Sequence, residues 1–538
     1  MRLKLSNPIW LVLLWTGLIS VSLINRPLFP IDETRYLAVA WEMWSRNDFL
    51  VPYINGQPYS HKPPFLFWLM QLSWGVFGVN EWTPRLIAPA FALATVFLSA
   101  PFARLLWPKR PAIGDSVPFI LLGFWLWIIF STLTLFDMLL SFFVLLGLYS
   151  LVKASLTHSG FKYWLLLGLA VGGGILTKGP VILIHCLPVA LLAPWWTRDT
   201  EANAINWRSW YLGVLLGLLT GVLIALSWAI PAGFSGGEAY QKAIFLGQTT
   251  GRLVNSFAHA KPWWWYLVFS PLFLLPWLLW RPFWAGLTTL KLNEKGMRLC
   301  IAWFLPVFIA FSFVSGKQLH YLLPEIPALA LLIARSADGA SLTKGQQFHH
   351  LLTGMALLVG LIAVGLSRVS ETLSWPETAE SLLFNWGSLL LISGVVLRFI
   401  AVQSLKHSAL LICLTSILLL SVTSSAYFSL EHQRYDLEQP SKTVANLLAE
   451  GKPIVHYKKY HGEYNFYGRL PHGLPVVPDA LKWSRQHPEG YIIIAYKPKK
   501  HVHREGIVFK HAFKNKTKAI ISADFLLKDP ELQALLNQ

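Results

Sequence analysis

Residues 117–152 read VPFILLGFWLWIIFSTLTLFDMLLSFFVLLGLYSLV, two apolar runs joined by a short turn and carrying one charge, Asp137. An α-helix needs roughly 20 apolar residues to cross about 30 Å of hydrocarbon. In lipid only a helix or a closed barrel satisfies its own backbone, so this stretch is predicted to be a transmembrane hairpin. Its lone carboxylate sits at the turn.

The rest of the chain repeats that pattern. Of 538 residues, 54% are hydrophobic, 14% aromatic and 13% charged, where soluble domains carry about a quarter charged residues. Disorder, collagen, a disulfide-stapled secreted fold and an ordinary cytosolic enzyme are excluded. Cys186, Cys300 and Cys413 each lie inside an apolar run and read as small core residues. Thirteen spans are predicted, near 8–28, 84–106, 117–132, 138–156, 162–176, 180–196, 210–231, 263–281, 298–314, 320–336, 350–367, 382–402 and 408–428. The first begins basic and then apolar, like a signal peptide, but lacks a small-residue cleavage site and reads as a retained helix. With the N-terminus cytoplasmic, the cytoplasmic segments hold more Lys and Arg than the outer ones, as the positive-inside rule requires. An odd number of spans then puts the C-terminus outside. The net charge of +18 follows from those loops and from anionic lipid, with no need of nucleic acid.

The expected fold class is therefore an all-α polytopic membrane protein with a small C-terminal α/β domain. Residues 1–429 form the transmembrane domain and 430–538 the soluble one. Within the first, the loop 29–83 contains two stretches, Glu33–Trp44 and Pro63–Phe77, that read as helices lying at the membrane interface. In the tail, β-like runs at Pro453–Tyr457, Tyr491–Tyr496 and Gly506–Phe513 alternate with turns and a helix-like Ser441–Glu450.

Ionisable residues gather in the outer segments. Asp32-Glu33-Thr34-Arg35-Tyr36 follows the first span, and its acids suit a helix N-terminus as well as a polar cleft. Gln57-Pro58-Tyr59-Ser60-His61-Lys62-Pro63-Pro64 uses two prolines to fix the backbone beside a cation, which also suits a lysine snorkelling to lipid phosphate. Asp137 would cost about 2.5–3.5 kcal/mol at mid-bilayer and should find a partner, Arg35 or Lys178 being the candidates. Lys178 lies in the tight turn Thr177-Lys178-Gly179-Pro180, Arg252 and His259 in the loop 232–262, and Lys317 and Tyr321 in Ser315-Gly316-Lys317-Gln318-Leu319-His320-Tyr321. Each cation alone fits head-group positioning, and the Trp run at 263–265 fits an aromatic belt. Together, cations with few acids at one face suit a phosphate carried on a lipid. A carboxylate among them suits a base.

The Asp32–Tyr36 motif, Asn55–Pro64 and Phe77-Gly78-Val79-Asn80-Glu81-Trp82 resemble the first outer loop of bacterial polyprenyl-phosphate-dependent GT-C glycosyltransferases. That group includes relatives of protein O-mannosyltransferases and the aminoarabinose transferases that modify lipid A. Asp137, the Lys178 turn, the spacing of Arg252, His259 and Pro262, and that of Lys317, Tyr321 and Pro324 match as well. The resemblance covers roughly residues 8–335, and the tail matches in size and placement only.

It implies an inverting transfer, at the outer face of the bacterial inner membrane, from an undecaprenyl-phosphate-linked sugar to a lipid or glycan acceptor such as lipid A or LPS core. On it, Asp32 would act as base or orient the acceptor. Lys62 and Lys178, helped by Arg252 and His259, would stabilise the leaving phosphate. Arg35 and Asp137 would organise the site, and Tyr36, Tyr59 and Tyr321 would line the cleft. Glu33, His61 and Lys317 complete the candidate binding set. The aminoarabinose transferases carry an acid where this chain has His61, so the sugar and acceptor stay open. Asp32, Glu33, His61 and His259 offer donors to a divalent cation, though their spacing fits no known metal motif. Other readings are a protein O-glycosyltransferase or surface-glycan transferase of the same fold, and a lipid or solute transporter. A transporter should place its polar groups near the midplane rather than at one face.

Overall fold

A computed structural model describes residues 7–157, 160–198, 205–247, 260–340, 350–369, 372, 377–400, 402, 404–497 and 506–536. The first nine helices are α1 (Asn7–Asn25), α2 (Asp32–Arg46), α3 (Phe65–Phe77), α4 (Trp82–Leu106), α5 (Pro111–Gly123), α6 (Trp125–Ser131), α7 (Phe136–Ala154), α8 (Phe161–Lys178) and α9 (Ile182–Leu191). Contacts divide the chain into two compact units. One comprises Met1–Ile24, His61–Leu66 and Arg85–Tyr427, and the other Asn25–Ser60, Phe67–Pro84 and Phe428–Gln538.

The first is a membrane unit. Among the described residues, eight helices of the chain are long and apolar enough to cross a bilayer, or nine if α5 and α6, bent by 62° at Phe124, are one broken span. All thirteen expected segments are helical, but the count of thirteen full-length spans does not carry over. Ile182–Leu191, Trp265–Leu274 and the pair Leu319–Glu325 and Ile326–Asp338 are short or broken. Three of the breaks coincide with a proline that starts a new element: Pro194 and Pro327 in the first turns of Ala193–Trp196 and Ile326–Asp338, and Pro276 just before Trp277–Leu279. Each removes a backbone donor and crowds the preceding turn. The helix α8 is unbroken, with Lys162 and Lys178 near its ends.

Small residues let these helices meet. A Cβ on Gly168 of α8 would lie 2.5 Å from Cβ of Thr220, and one on Gly217 of the helix Trp207–Gly236 would lie 2.8 Å from Leu167 Cδ2. Gly168 and Gly172 on one helix thus face Gly213, Gly217 and Gly221 on the other, a close packing available only to residues without bulk. Gly360 and Gly387 repeat the device between His350–Arg368 and Glu377–Arg398, each Cβ site lying 2.9 Å from the other residue's carbonyl oxygen.

The second unit joins the first loop to the tail. The loop contributes α2, α3 and a small hairpin of β1 (Tyr53–Ile54) and β2 (Gln57–Pro58). The tail contributes β3 (Ile454–Tyr457), β4 (Val476–Val477), β5 (Tyr491–Tyr496), β6 (Ile507–Phe513) and β7 (Lys516–Ser522), in the order β4-β3-β5-β7-β6. The strand β3 runs parallel to β4 and β5, while β7 runs antiparallel to β5 and β6. Apolar residues on the two faces of the sheet feed separate clusters, one around Leu437, Tyr464 and Ile493 and the other around Val455, Ile492 and Leu526.

The loop and tail are tied by specific bonds. Trp41 Nε1 donates to the Leu470 carbonyl at 2.9 Å, Asn465 Nδ2 to Asn55 Oδ1 at 3.1 Å, and Tyr467 Oη to Glu81 Oε2 at 2.5 Å. Trp74 stacks on Phe466 with centroids 5.6 Å apart. The sequence reading gave the loop 29–83 to the 1–429 body, whereas these contacts group most of it with the tail.

Candidate functional site

Two groups of the sequence-predicted residues are assembled, one within each unit. In the membrane unit Asp137 occupies the first turn of α7 and is only 3% exposed. Lys178, the last residue of α8, reaches it with Nζ 2.5 Å from Oδ1. Gly179 at φ +77° and Pro180 end that helix abruptly, leaving the lysine little freedom to turn elsewhere. Its ammonium also lies 4.8 Å from the centre of the Tyr321 ring. Lys62 sits 5.5 Å from the ring of Phe136, the residue preceding the acid, and Lys62 and His320 are both within electrostatic reach of Asp137. His320 stands between Phe130 and Tyr321, at ring distances of 5.5 and 4.8 Å. Of the two partners expected for the acid, Lys178 is the one that pairs with it.

Lys317 behaves differently. It is buried, and its ammonium donates to the backbone carbonyls of Lys261 and Val314. Those bonds hold the segment before Leu319 to the residues at 260–261, where Lys261 N also donates to the Ser315 carbonyl at 3.0 Å. A buried pair that sequence reasoning did not assemble lies deeper: His185 Nδ1 is 2.7 Å from Glu325 Oε1, which also accepts from Trp303 Nε1 at 3.1 Å. His185 gave no signal in sequence, being one polar residue in an apolar run.

In the loop–tail unit, Asp32 and Glu33 take separate roles. Asp32 is exposed, with its side chain 53% accessible, and pairs with Arg35 one turn along α2. Glu33 is buried against Arg26 and accepts from the backbone N–H of Phe29 at 2.7 Å. Its carboxylate fixes the entry to α2. The Arg35 guanidinium lies 5.5 Å from the Tyr36 ring centre. Tyr36 and Tyr59 both pack on Phe67, at 6.3 Å each. Burial works against the charge of Arg35, but Tyr59, Tyr36 and Asp32 outweigh it and hold its pKa above the usual value. The arginine is a permanent cation beside an accessible carboxylate.

His61 is exposed in the membrane unit. Arg252 and His259 lie outside the described residues. Among the described residues no set of three His, Cys, Asp or Glu side chains could hold a metal ion. Of the donors considered for one, Glu33 is committed to Arg26 and the Phe29 amide.

The arrangement can do two things chemically. Lys178 and Lys62, around a buried acid and flanked by aromatic rings, can hold an anionic group in a setting where each charge acts strongly. Asp32, exposed and oriented by Arg35, can accept a hydrogen bond or a proton from a hydroxyl.

Parts of the chain are similar to known glycosyltransferases. The family described as dolichyl-phosphate-mannose-protein mannosyltransferase matches residues 61–228. The crystal structure of ArnT from Cupriavidus metallidurans bound to undecaprenyl phosphate superimposes with a TM-score of 0.75 at 19% identity, covering 95% of this chain and 97% of that one. The fold is thus shared along nearly the whole length. More particularly, the chain resembles the aminoarabinose transferases. It is 28% identical over 350 residues to an undecaprenyl phosphate-alpha-4-amino-4-deoxy-L-arabinose arabinosyl transferase of Pseudomonas fluorescens, covering 63% of this chain and 62% of the relative. An enzyme of the same description from Pectobacterium carotovorum is 27% identical over 410 residues, covering 73% and 69%. The chain matches about three-fifths of the length of the first of these relatives.

Proposed function

We propose that this chain is an inner-membrane glycosyltransferase that moves a sugar, a pentose such as an aminoarabinose, from undecaprenyl phosphate to lipid A or LPS core. The observation that carries the reading is the Asp137–Lys178 pair at 2.5 Å, with Tyr321 against the lysine and Lys62 against Phe136. As an acceptor oxygen bonds to the sugar's anomeric carbon and that carbon's bond to the phosphate oxygen breaks, negative charge develops on the departing lipid phosphate. Lys178 and Lys62 stabilise that charge, and Asp137 keeps Lys178 in place. Asp32 serves the acceptor. A hydroxyl would give it a proton, whereas a phosphate oxygen, already anionic at neutral pH, would need it only for orientation.

The same reading takes the four shorter or less apolar segments as membrane-embedded, completing thirteen. It puts the N-terminus in the cytoplasm and the tail in the periplasm. The similarity to undecaprenyl-phosphate-dependent aminoarabinose transferases supports the donor class. The family match over 61–228 favours one second reading, a protein hydroxyl as acceptor.

Lipid mass spectrometry on membranes with and without the gene tests this, with Lys62→Ala and Asp32→Asn as variants. The expected result is loss of one sugar mass from lipid A or LPS, with the polyprenyl-phosphate sugar accumulating. An unchanged lipid with accumulated donor would move the acceptor to protein. A cell holding no such donor would sink the enzyme in favour of a transporter.

A further inference from the structure

We propose that the C-terminal tail supplies Lys514 and His461 to a cationic seat beside Asp32 and Arg35 that receives a phosphate group of the acceptor lipid. The inference rests on the glycosyltransferase reading and adds its acceptor end.

Independent contacts bring these residues to one place. Phe29, just ahead of α2, stacks on Tyr435 at 5.0 Å. The neighbouring Arg434 carbonyl accepts from the Lys514 amide at 3.2 Å. Ile31, immediately before Asp32, packs on the cluster that contains Phe513, immediately before Lys514. On the other side, a Cβ on Gly462 would stand 3.1 Å from Ala38 Cβ, one turn along α2 from Arg35, which sets His461 beside that helix. Asp32 and Arg35 both act electrostatically on Lys514, and Arg35 acts on His461.

The charges there do not cancel. Glu463, the other acid of the region, is buried with Lys518 at 3.1 Å, and Asp32 is matched by Arg35. Lys514 is half-buried and its ammonium makes no hydrogen bond or ion pair among the described residues. Among the described residues the Arg35 Nε atom is buried with no hydrogen-bond partner. Three donors from three segments, with one uncompensated positive charge, suit the several oxygens of a phosphate. The backbone supports the same reading. Lys514 opens the two-residue loop between β6 and β7 with φ +53°, where Phe513 pairs with Lys516. Turn chemistry favours Asn, Asp or Gly at such a position and gives no reason for lysine. Strain of this kind marks functional positions more often than others.

The test measures binding of radiolabelled bis-phosphorylated lipid A, and of its dephosphorylated form, to the full-length chain in nanodiscs. Lys514→Asn keeps a residue suited to the left-handed turn and removes the charge. His461→Ala removes the second donor, and Lys516→Asn, two residues on and exposed, is the control. The expected result is about a tenfold weaker binding of the phosphorylated lipid by Lys514→Asn, a smaller loss for His461→Ala and none for Lys516→Asn. The dephosphorylated lipid should bind all four proteins alike. Equal binding of the phosphorylated lipid by wild type and Lys514→Asn would overturn the proposal, as would tight binding of a carboxylate-bearing glycan that the variant loses in place of the phosphorylated lipid. Failure of the wild type to transfer sugar while these differences persist would count against the glycosyltransferase reading alone.

Discussion

Adjacent acids in this chain do unlike work, and which does which is set by partners on either side of them, seven residues before Glu33 and three after Asp32. Asp32 and Glu33 were equal candidates in sequence, yet Glu33 closes on Arg26 and only Asp32 keeps an accessible carboxylate. Sequence reasoning offers Arg35 and Lys178 as candidate partners for Asp137, because a buried acid demands a cation and few are available, and Lys178 is the one within reach. It ranked Lys317 with them because it could not see that its donors go to backbone carbonyls. The Asp137–Lys178 pair makes a sharp prediction. Lys178→Ala leaves a buried charge without a partner, which costs about 3–5 kcal/mol. The double variant Asp137→Asn with Lys178→Met should melt at a higher temperature than Lys178→Ala, while both lose sugar transfer. A thermal melt of purified protein in nanodiscs decides it, and a double variant no more stable than the single one would refute the pairing. In the tail, burial and the nearby Lys518 push His456 down to about 3, and burial pushes His511 to about 4. Both titrate near 6.5 when unfolded. Between about pH 6.5 and 4 the unfolded chain therefore binds more protons, and stability falls as the pH falls. Hydrogen exchange in β3, β5 and β7, corrected for intrinsic rate, should be faster at pH 5 than at pH 7, and His456→Gln should flatten that difference. Equal protection at both values would contradict it.

At the scale of elements, apolar length was the reliable signal and proline the neglected one. All thirteen expected segments form helix, but Pro194 and Pro327, each in the first turn of a new helix, mark breaks in runs that hydropathy alone reads as continuous. The strand β7 was missed because Lys516-Thr517-Lys518 opens it with charge, although Lys518 is buried against Glu463. The glycine seam between α8 and Trp207–Gly236 was also invisible as packing, since spacing does not name the facing helix. It is testable. Gly217→Leu should cost at least the about 1–3 kcal/mol of an overpacked core and sharply lower the yield of monodisperse protein. Gly354→Ala, where a new Cβ meets nothing within 4 Å, should leave it unchanged. Equal yields would mean that the two helices do not meet as described.

For the whole molecule, the informative result is that most of the first loop and the tail form one compact unit across a separation of more than 300 residues. Local patterning reads helices in the loop and strands in the tail, but Trp41 to Leu470 or Asn55 to Asn465 are pairings that no local pattern encodes. Cutting the chain after residue 429 should therefore unsettle α2 and α3 as well as remove the sheet. Limited proteolysis in intact nanodiscs should find new cleavage within 29–83 in the truncated protein. A first loop as resistant as in the full chain would show that it folds without its partner.

That joining of beginning and end has a consequence for how the protein is made. At roughly 5–20 residues per second, ribosomes deliver the tail tens of seconds after the loop. Throughout that time Trp41 and Asn55 lack the tail groups they finally bond, and Trp74 lacks the ring of Phe466. A nascent chain that stalls or is truncated in any later span keeps those groups uncovered, and so carries a visible mark of its own incompleteness. Proteases that survey membranes then have an uncovered first loop by which to tell an unfinished copy from a finished one.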